Sequence, residues 1–130
     1  AELSSCTGLT LVLALSYSGR ADLTDAVKAI ASRAKKGVLD PRTIDEKTIS
    51  GFLGTAPFPP VDLLIRTSGE MRLSNFLLWE SAYSEWVIQE TLWPDFRKKH
   101  LVDAVKEFQK RERRFGGLKN PNLIPGVDGP

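Results

Sequence analysis

Residues 61–66, Val-Asp-Leu-Leu-Ile-Arg, constrain the fold more than any other stretch. Val61, Leu63, Leu64 and Ile65 make a short apolar run behind Pro59 and Pro60, which reads as a buried strand. The strand delivers Arg66 to a small, hydrogen-bonding turn of Thr67, Ser68 and Gly69, and Arg72, Ser74 and Asn75 follow at once. Guanidinium groups bind oxyanions in pairs through charge-assisted bonds, and a turn can add backbone N–H groups. Ligands of open α/β sheets sit beyond the carboxyl ends of strands. The residues alone leave two readings open: a phosphate or diphosphate site, or an ordinary turn with solvated arginines.

Around this stretch the chain alternates strand and helix patterns. Residues 9–15 form a continuous apolar run, read as another buried strand, ending at Ser16, Tyr17, Ser18, Gly19 and Arg20. That layout is compatible with phosphate, and equally with a plain strand-to-helix turn. Asp22 is placed to cap a helix with Leu23, Ala26, Val27, Ile30, Ala31 and Ala34 on one face. Thr43 with Glu46 reads as a capping box for a second helix. Residues 76–83 are apolar nearly all round and read as a short buried helix that Ser74 could cap; residues 85–90 read as a third strand. A long helix is predicted from Trp93, with Phe96, Leu101, Val102, Val105 and Phe108 inward. His100, in a basic run, reads as a surface residue. The order implies a mainly parallel α/β sheet flanked by helices. Three strands make a thin sheet, so further strands are expected from elsewhere. Residues 118–130, rich in Pro, Gly and Asn, read as a disordered tail.

Composition narrows the class. The chain has 130 residues, 42% hydrophobic and 26% charged, as in a globular domain. A net charge of +2 suits an anionic ligand but is too weak to argue for nucleic acid. No apolar run is long enough to span a bilayer. Cys6 is the sole cysteine, so an internal disulfide is excluded and a reducing compartment fits. No cluster has zinc-ligand spacing. The chain starts Ala-Glu-Leu, without Met, and is expected to be processed or truncated.

The string D-L-L-I-R-T-S-G-E-x-R-L-S-N-F-L-L-W-x-x-A-Y-S-E, followed by T-L-W-P-D-F and R-E-R-R-F-G-G, resembles the cis-prenyltransferases. These are the undecaprenyl and dehydrodolichyl diphosphate synthases and their short-chain plant relatives. The resemblance runs from LALSYSGRADL to Gly117. It implies an incomplete half of a cis-prenyltransferase fold over residues 1–117. By position, Arg66, Arg72 and Ser74 would hold isopentenyl diphosphate, Glu85 would place Mg2+, and Arg114 with Gly116 would complete the diphosphate site, in some members across a dimer interface. Arg66, Arg72 and Glu85 are thus the implied catalytic residues. Asp62 and Glu70 are given supporting roles, Arg20 is a lesser candidate near the site, and Arg111 and Arg113 read as helix-surface residues.

Several departures matter. Ser16 and Ser18 replace the Asn and first Gly of the family's N-Y-G-G-R pattern, and Met71 stands where some bacterial members carry a histidine. The family's H-x-D-G-N-x-R segment, which binds the allylic diphosphate, is absent, as is its S-x-E-N-W segment. The resemblance therefore implies the isopentenyl-diphosphate-binding half of an enzyme that condenses this C5 diphosphate with an allylic diphosphate. Such a half would act only with an N-terminal portion or companion chain, as a homodimer or heteromer, in cytoplasm or plastid stroma, with peripheral membrane contact open to it. The rival reading is a non-catalytic accessory subunit of a heteromeric enzyme. Retention of Arg66, Arg72, Ser74 and Glu85 favours the catalytic one.

Overall fold

A computed structural model describes residues 5–113. They form two units. The first comprises the chain up to Pro59 together with Leu73–Trp79; the second comprises Pro60–Arg72 and the chain from Glu80 onward.

In the first unit, helix α1 (Gly19–Lys35) starts ahead of the predicted Asp22 cap. Ser18 is the N-cap, its hydroxyl accepting from the Ala21 N–H at 3.2 Å. Asp22 instead accepts from the Tyr17 hydroxyl at 3.2 Å and from the Gly54 N–H at 2.8 Å, which ties α1 to the loop after helix α2 (Glu46–Phe52). Ala26 and Ile30, one turn apart, are buried, whereas Val27, predicted on the same face, is exposed. The cap of α2 is Asp45, not Thr43. Its carboxylate accepts from the Thr48 N–H at 2.7 Å, and the Thr48 hydroxyl accepts from the Asp45 N–H at 3.3 Å. Thr43 lies in a preceding 3-10 turn, Pro41–Thr43, where its hydroxyl donates to the Asp40 carbonyl at 2.9 Å. Leu53 completes the core, and the indole N–H of Trp79 donates to the Ser50 hydroxyl at 2.9 Å.

Two predicted elements of this region do not form. Residues 9–15 are not a strand, and Leu9 and Leu15 are 87% and 85% exposed. A strand needs a neighbour for its N–H and C=O groups, and among the described residues only β1 and β2 pair with each other. Residues 76–83 form turns rather than a helix. Ser74, Asn75 and Leu77 have φ of 51°, 63° and 47°, left-handed values that no right-handed helix contains.

In the second unit, β1 (Leu63–Arg66) and β2 (Glu85–Ile88) pair in parallel, with Leu63 opposite Glu85 and Arg66 opposite Ile88. Hydrogen bonds extend the ladder at both ends, from the Glu85 N–H to the Asp62 carbonyl at 2.9 Å and from the Gln89 N–H to the Arg66 carbonyl at 2.8 Å. Leu64 and Val87 are buried on opposite faces, as the two-residue period requires. Helix α3 (Lys98–Gln109) packs on β2. Its inner stripe is His100, Ala104 and Phe108, with Ala104 fully buried; Leu101, Val102 and Val105, predicted inward, are exposed. The helix starts after a 3-10 turn, Trp93–Asp95, and His100 holds that start by accepting from the Arg97 N–H through Nδ1 at 2.9 Å. The architecture is thus α/β with a parallel pair, as predicted, but with two strands among the described residues where three were expected.

Candidate functional site

The Arg66 turn is fastened by the chain that follows β2. The Ser68 N–H donates to the Thr91 carbonyl and the Gly69 N–H to the Gln89 carbonyl, each at 3.0 Å. Both residues are left-handed, with φ of 67° and 64°. A Cβ at Gly69 would stand 2.7 Å from the Glu90 carboxylate, the end of a flexible exposed side chain, so glycine is favoured here chiefly by its left-handed φ. The expectation that this turn offers its N–H groups to an anion is not met at these two residues, because both bonds are already made. Anion binding here falls to side chains. Arg66 is half-buried at the end of β1. Arg72 is 68% exposed and forms an ion pair with Glu70.

Ser74 belongs to the first unit, with Asn75 beside it. Asn75 closes the N-terminus of α1: its backbone carbonyl accepts from the Gly19 N–H at 2.8 Å, and its Oδ1 accepts from the Arg20 N–H at 2.9 Å. Its Nδ2 donates to the Ser18 hydroxyl at 2.9 Å. The first donors of α1 are therefore spent within the protein. The turn of residues 16–20 is scaffold, and the Arg20 backbone serves that scaffold.

Glu85 lies elsewhere. It opens β2, three residues back from the position opposite Arg66, or about 10 Å along the strand. Alternation puts it on the other face of the pair. Within the second unit Arg66 ends β1 just before the Ser68–Gly69 turn and Arg72 follows three residues after that turn, whereas Glu85 lies at the other end of the strand pair. Glu85 is held by Arg111, whose guanidinium donates to Oε2 at 3.1 Å and also pairs with Glu107. Those two carboxylates, Glu107 first, raise the Arg111 pKa above its ordinary value. Arg113 pairs with Asp62, and its guanidinium also donates to the Tyr83 carbonyl at 3.4 Å. Arg111 and Arg113, predicted to be solvated, are thus the residues that reading by sequence missed. The signal was their spacing of two, which suits an extended segment better than a helix face. Arg114 and Gly116 lie outside the described residues.

Mg2+ typically takes one or two carboxylates with phosphate oxygens filling its shell. The Glu85 carboxylate fits as one such donor. Among the described residues no three acidic, His or Cys side chains gather into a fuller metal cage.

Fold and site together define an α/β chain whose parallel strand pair ends in a turn bearing arginines. A family profile described as undecaprenyl diphosphate synthase matches residues 1–116. The isoprenyl transferase of Chlorobaculum tepidum is 58% identical over 109 residues, covering 84% of this chain and 41% of that protein. The ditrans,polycis-undecaprenyl-diphosphate synthase ((2E,6E)-farnesyl-diphosphate specific) of Buchnera aphidicola is 51% identical over 113 residues, covering 87% and 45%. The crystal structure of lavandulyl diphosphate synthase from Lavandula x intermedia, in complex with dimethylallyl diphosphate, superposes with a TM-score of 0.78 at 43% identity, covering 80% of this chain and 45% of that one. The chain belongs to the cis-prenyltransferase family and spans less than half the length of these relatives. No helix among the described residues is long and apolar enough to cross a membrane.

Proposed function

We propose that this chain is the isopentenyl-diphosphate-binding portion of a cis-prenyltransferase, active when joined to the portion that binds the allylic diphosphate. In the reaction the allylic carbon parts from its diphosphate and bonds to the terminal alkene carbon of isopentenyl diphosphate. Loss of a proton then leaves a new Z double bond. Negative charge grows on the departing diphosphate, so catalysis rests on positioned cations and donors. The observation that carries this reading is the Arg66 turn, with its backbone fixed by the chain that follows β2 and with Arg72 paired with Glu70.

Arg66 and Arg72 grip the isopentenyl diphosphate in this reading, Ser74 adds a hydroxyl, and Arg114 with Gly116 completes the contact. Mg2+, with Glu85 as one ligand, would neutralise diphosphate charge. Its other protein ligands come from outside the described residues. The working enzyme pairs this chain with its other portion, or with a companion chain, in a dimeric or heteromeric assembly.

Calorimetric titration of isopentenyl diphosphate into the wild-type chain and into Arg66→Ala tests the proposal. Loss of one charge-assisted, bidentate contact is expected to weaken binding by tenfold or more, on the order of 1.5–3 kcal/mol. Equal affinity in the two proteins would overturn it. The chain alone is expected to show no condensation activity, and addition of the missing portion is expected to restore it.

A further inference from the structure

We infer that the Gln89 side chain ties the start of α3 to the Arg66 turn and so positions that turn for the diphosphate. Gln89 continues the ladder one residue past β2. Its N–H donates to the Arg66 carbonyl at 2.8 Å, and its carbonyl accepts from the Gly69 N–H at 3.0 Å. One residue thus carries a backbone bond to each side of Thr67-Ser68. Gln89 lies two residues on from buried Val87, so its side chain leaves on the same side of the ladder. That side is the one α3 covers, because the half-buried Gln89 donates through Nε2 to the His100 carbonyl at 3.4 Å. A half-buried amide needs a partner, and this carbonyl supplies one to a donor of Gln89. His100 lies in the first turn of α3 and also fastens that turn. Its Nδ1 accepts from the Arg97 N–H at 2.9 Å, and its ring lies 5.6 Å from that of Phe96. The contacts therefore run without a gap from Arg97 through His100 and Gln89 to Arg66 and Gly69, all within the second unit. Gln89 and His100 are positioning residues, acting through the turn that bears Arg66.

The inference rests on the proposed binding of isopentenyl diphosphate at Arg66, and two readouts keep them separable. Hydrogen exchange of the Ser68 and Gly69 amides reads the turn itself. Calorimetric affinity for isopentenyl diphosphate reads the consequence. Gln89→Met keeps the length of the side chain and removes the donor. A long hydrogen bond is worth the lower part of the usual range, so Gln89→Met is expected to speed both turn amides by about two- to fivefold and to weaken binding by a similar factor. The Ala26 and Ile30 amides of α1 are expected to stay unchanged. His100→Ala removes the acceptor of the Arg97 N–H and is expected to act on the turn in the same direction. His100→Glu should restore wild-type values, since glutamate at the third helical position accepts from the N-cap N–H. In the Gln89→Met background, His100→Ala should add nothing at the turn. Wild-type exchange at Ser68 and Gly69 in Gln89→Met would overturn the tie. Equal acceleration of the α1 amides, or a full added loss from His100→Ala in that background, would also overturn it. Loosened turn amides with wild-type affinity, where Arg66→Ala does weaken binding, would overturn the positioning role. Unchanged affinity in Arg66→Ala would instead overturn the proposed diphosphate contact, and the exchange rates would still decide the tie.

Discussion

Gly69→Ala should damage the Arg66 turn by two separable routes. The first is backbone. Gly69 has φ +64°, and an L-residue held there costs about 1–2 kcal/mol. The second is contact, because the new methyl would stand 2.7 Å from Glu90 Oε2 and 3.3 Å from its Cδ. Glu90 is exposed and its carboxylate ends a flexible chain, so it can swing away for about 0.5 kcal/mol of rotamer cost. The sum, about 1.5–2.5 kcal/mol, corresponds to a fall in Tm of roughly 6–12 °C for a chain of this size. Thermal unfolding followed by far-UV circular dichroism reads it. Glu90→Ala should recover only the smaller, contact part. Gly69→Asn combined with Glu90→Ala should return close to wild type, since Asn tolerates the left-handed region. If Gly69→Ala were as stable as wild type, or if the Asn double variant were as damaged as Gly69→Ala, the reasoning would fail.

Gly19→Ala presents the opposite case, because its Cβ would meet Leu78 Cγ at 2.9 Å and the Asn75 carbonyl at 3.0 Å. Backbone cannot swing aside, so a loss of about 1–3 kcal/mol is expected in denaturant unfolding. Asn75→Ala removes the acceptor of the Arg20 N–H and should cost about 1–2 kcal/mol, whereas Asn75→Asp keeps the acceptor and should lose less. The Thr48 hydroxyl and N–H hold the Asp45 carboxyl below its usual range. Its contribution to α2 is therefore complete above the unfolded-state value of about 3.9 and is lost as pH falls through the lower folded value. Far-UV dichroism of Asp45→Asn during acid titration should lack that component.

The sequence carried the parallel pair well, because a buried strand depends on a short apolar run and turn residues that bound it. Residues 61–66 and 85–90 had both, and the structure trims each to four residues. Residues 9–15 had the same run but form no strand, since apolar character specifies burial without supplying a partner. In residues 76–83 the helical pattern lost to a local competitor. Asn75 spends its side chain and carbonyl on α1 from a left-handed backbone, and no periodicity reports such a contact across more than fifty residues. For α3 the pattern placed the larger apolar residues inside, whereas the fully buried residue of the helix is Ala104. The arginines of the Arg66 turn were legible from their spacing behind a strand. The partner of Glu85 was not, because ion pairs between the segment after α3 and the strand ends join residues remote in sequence.

The exposed apolar run at residues 9–15 has a consequence for solubility. From residue 5 to residue 19 there is no charged side chain, and Leu9, Leu11, Leu13 and Leu15 are all open to water. An uncharged run of exposed leucines is the kind of segment on which cross-β assembly nucleates. A single lysine gatekeeper there would improve solubility without touching the groups proposed to meet the diphosphate.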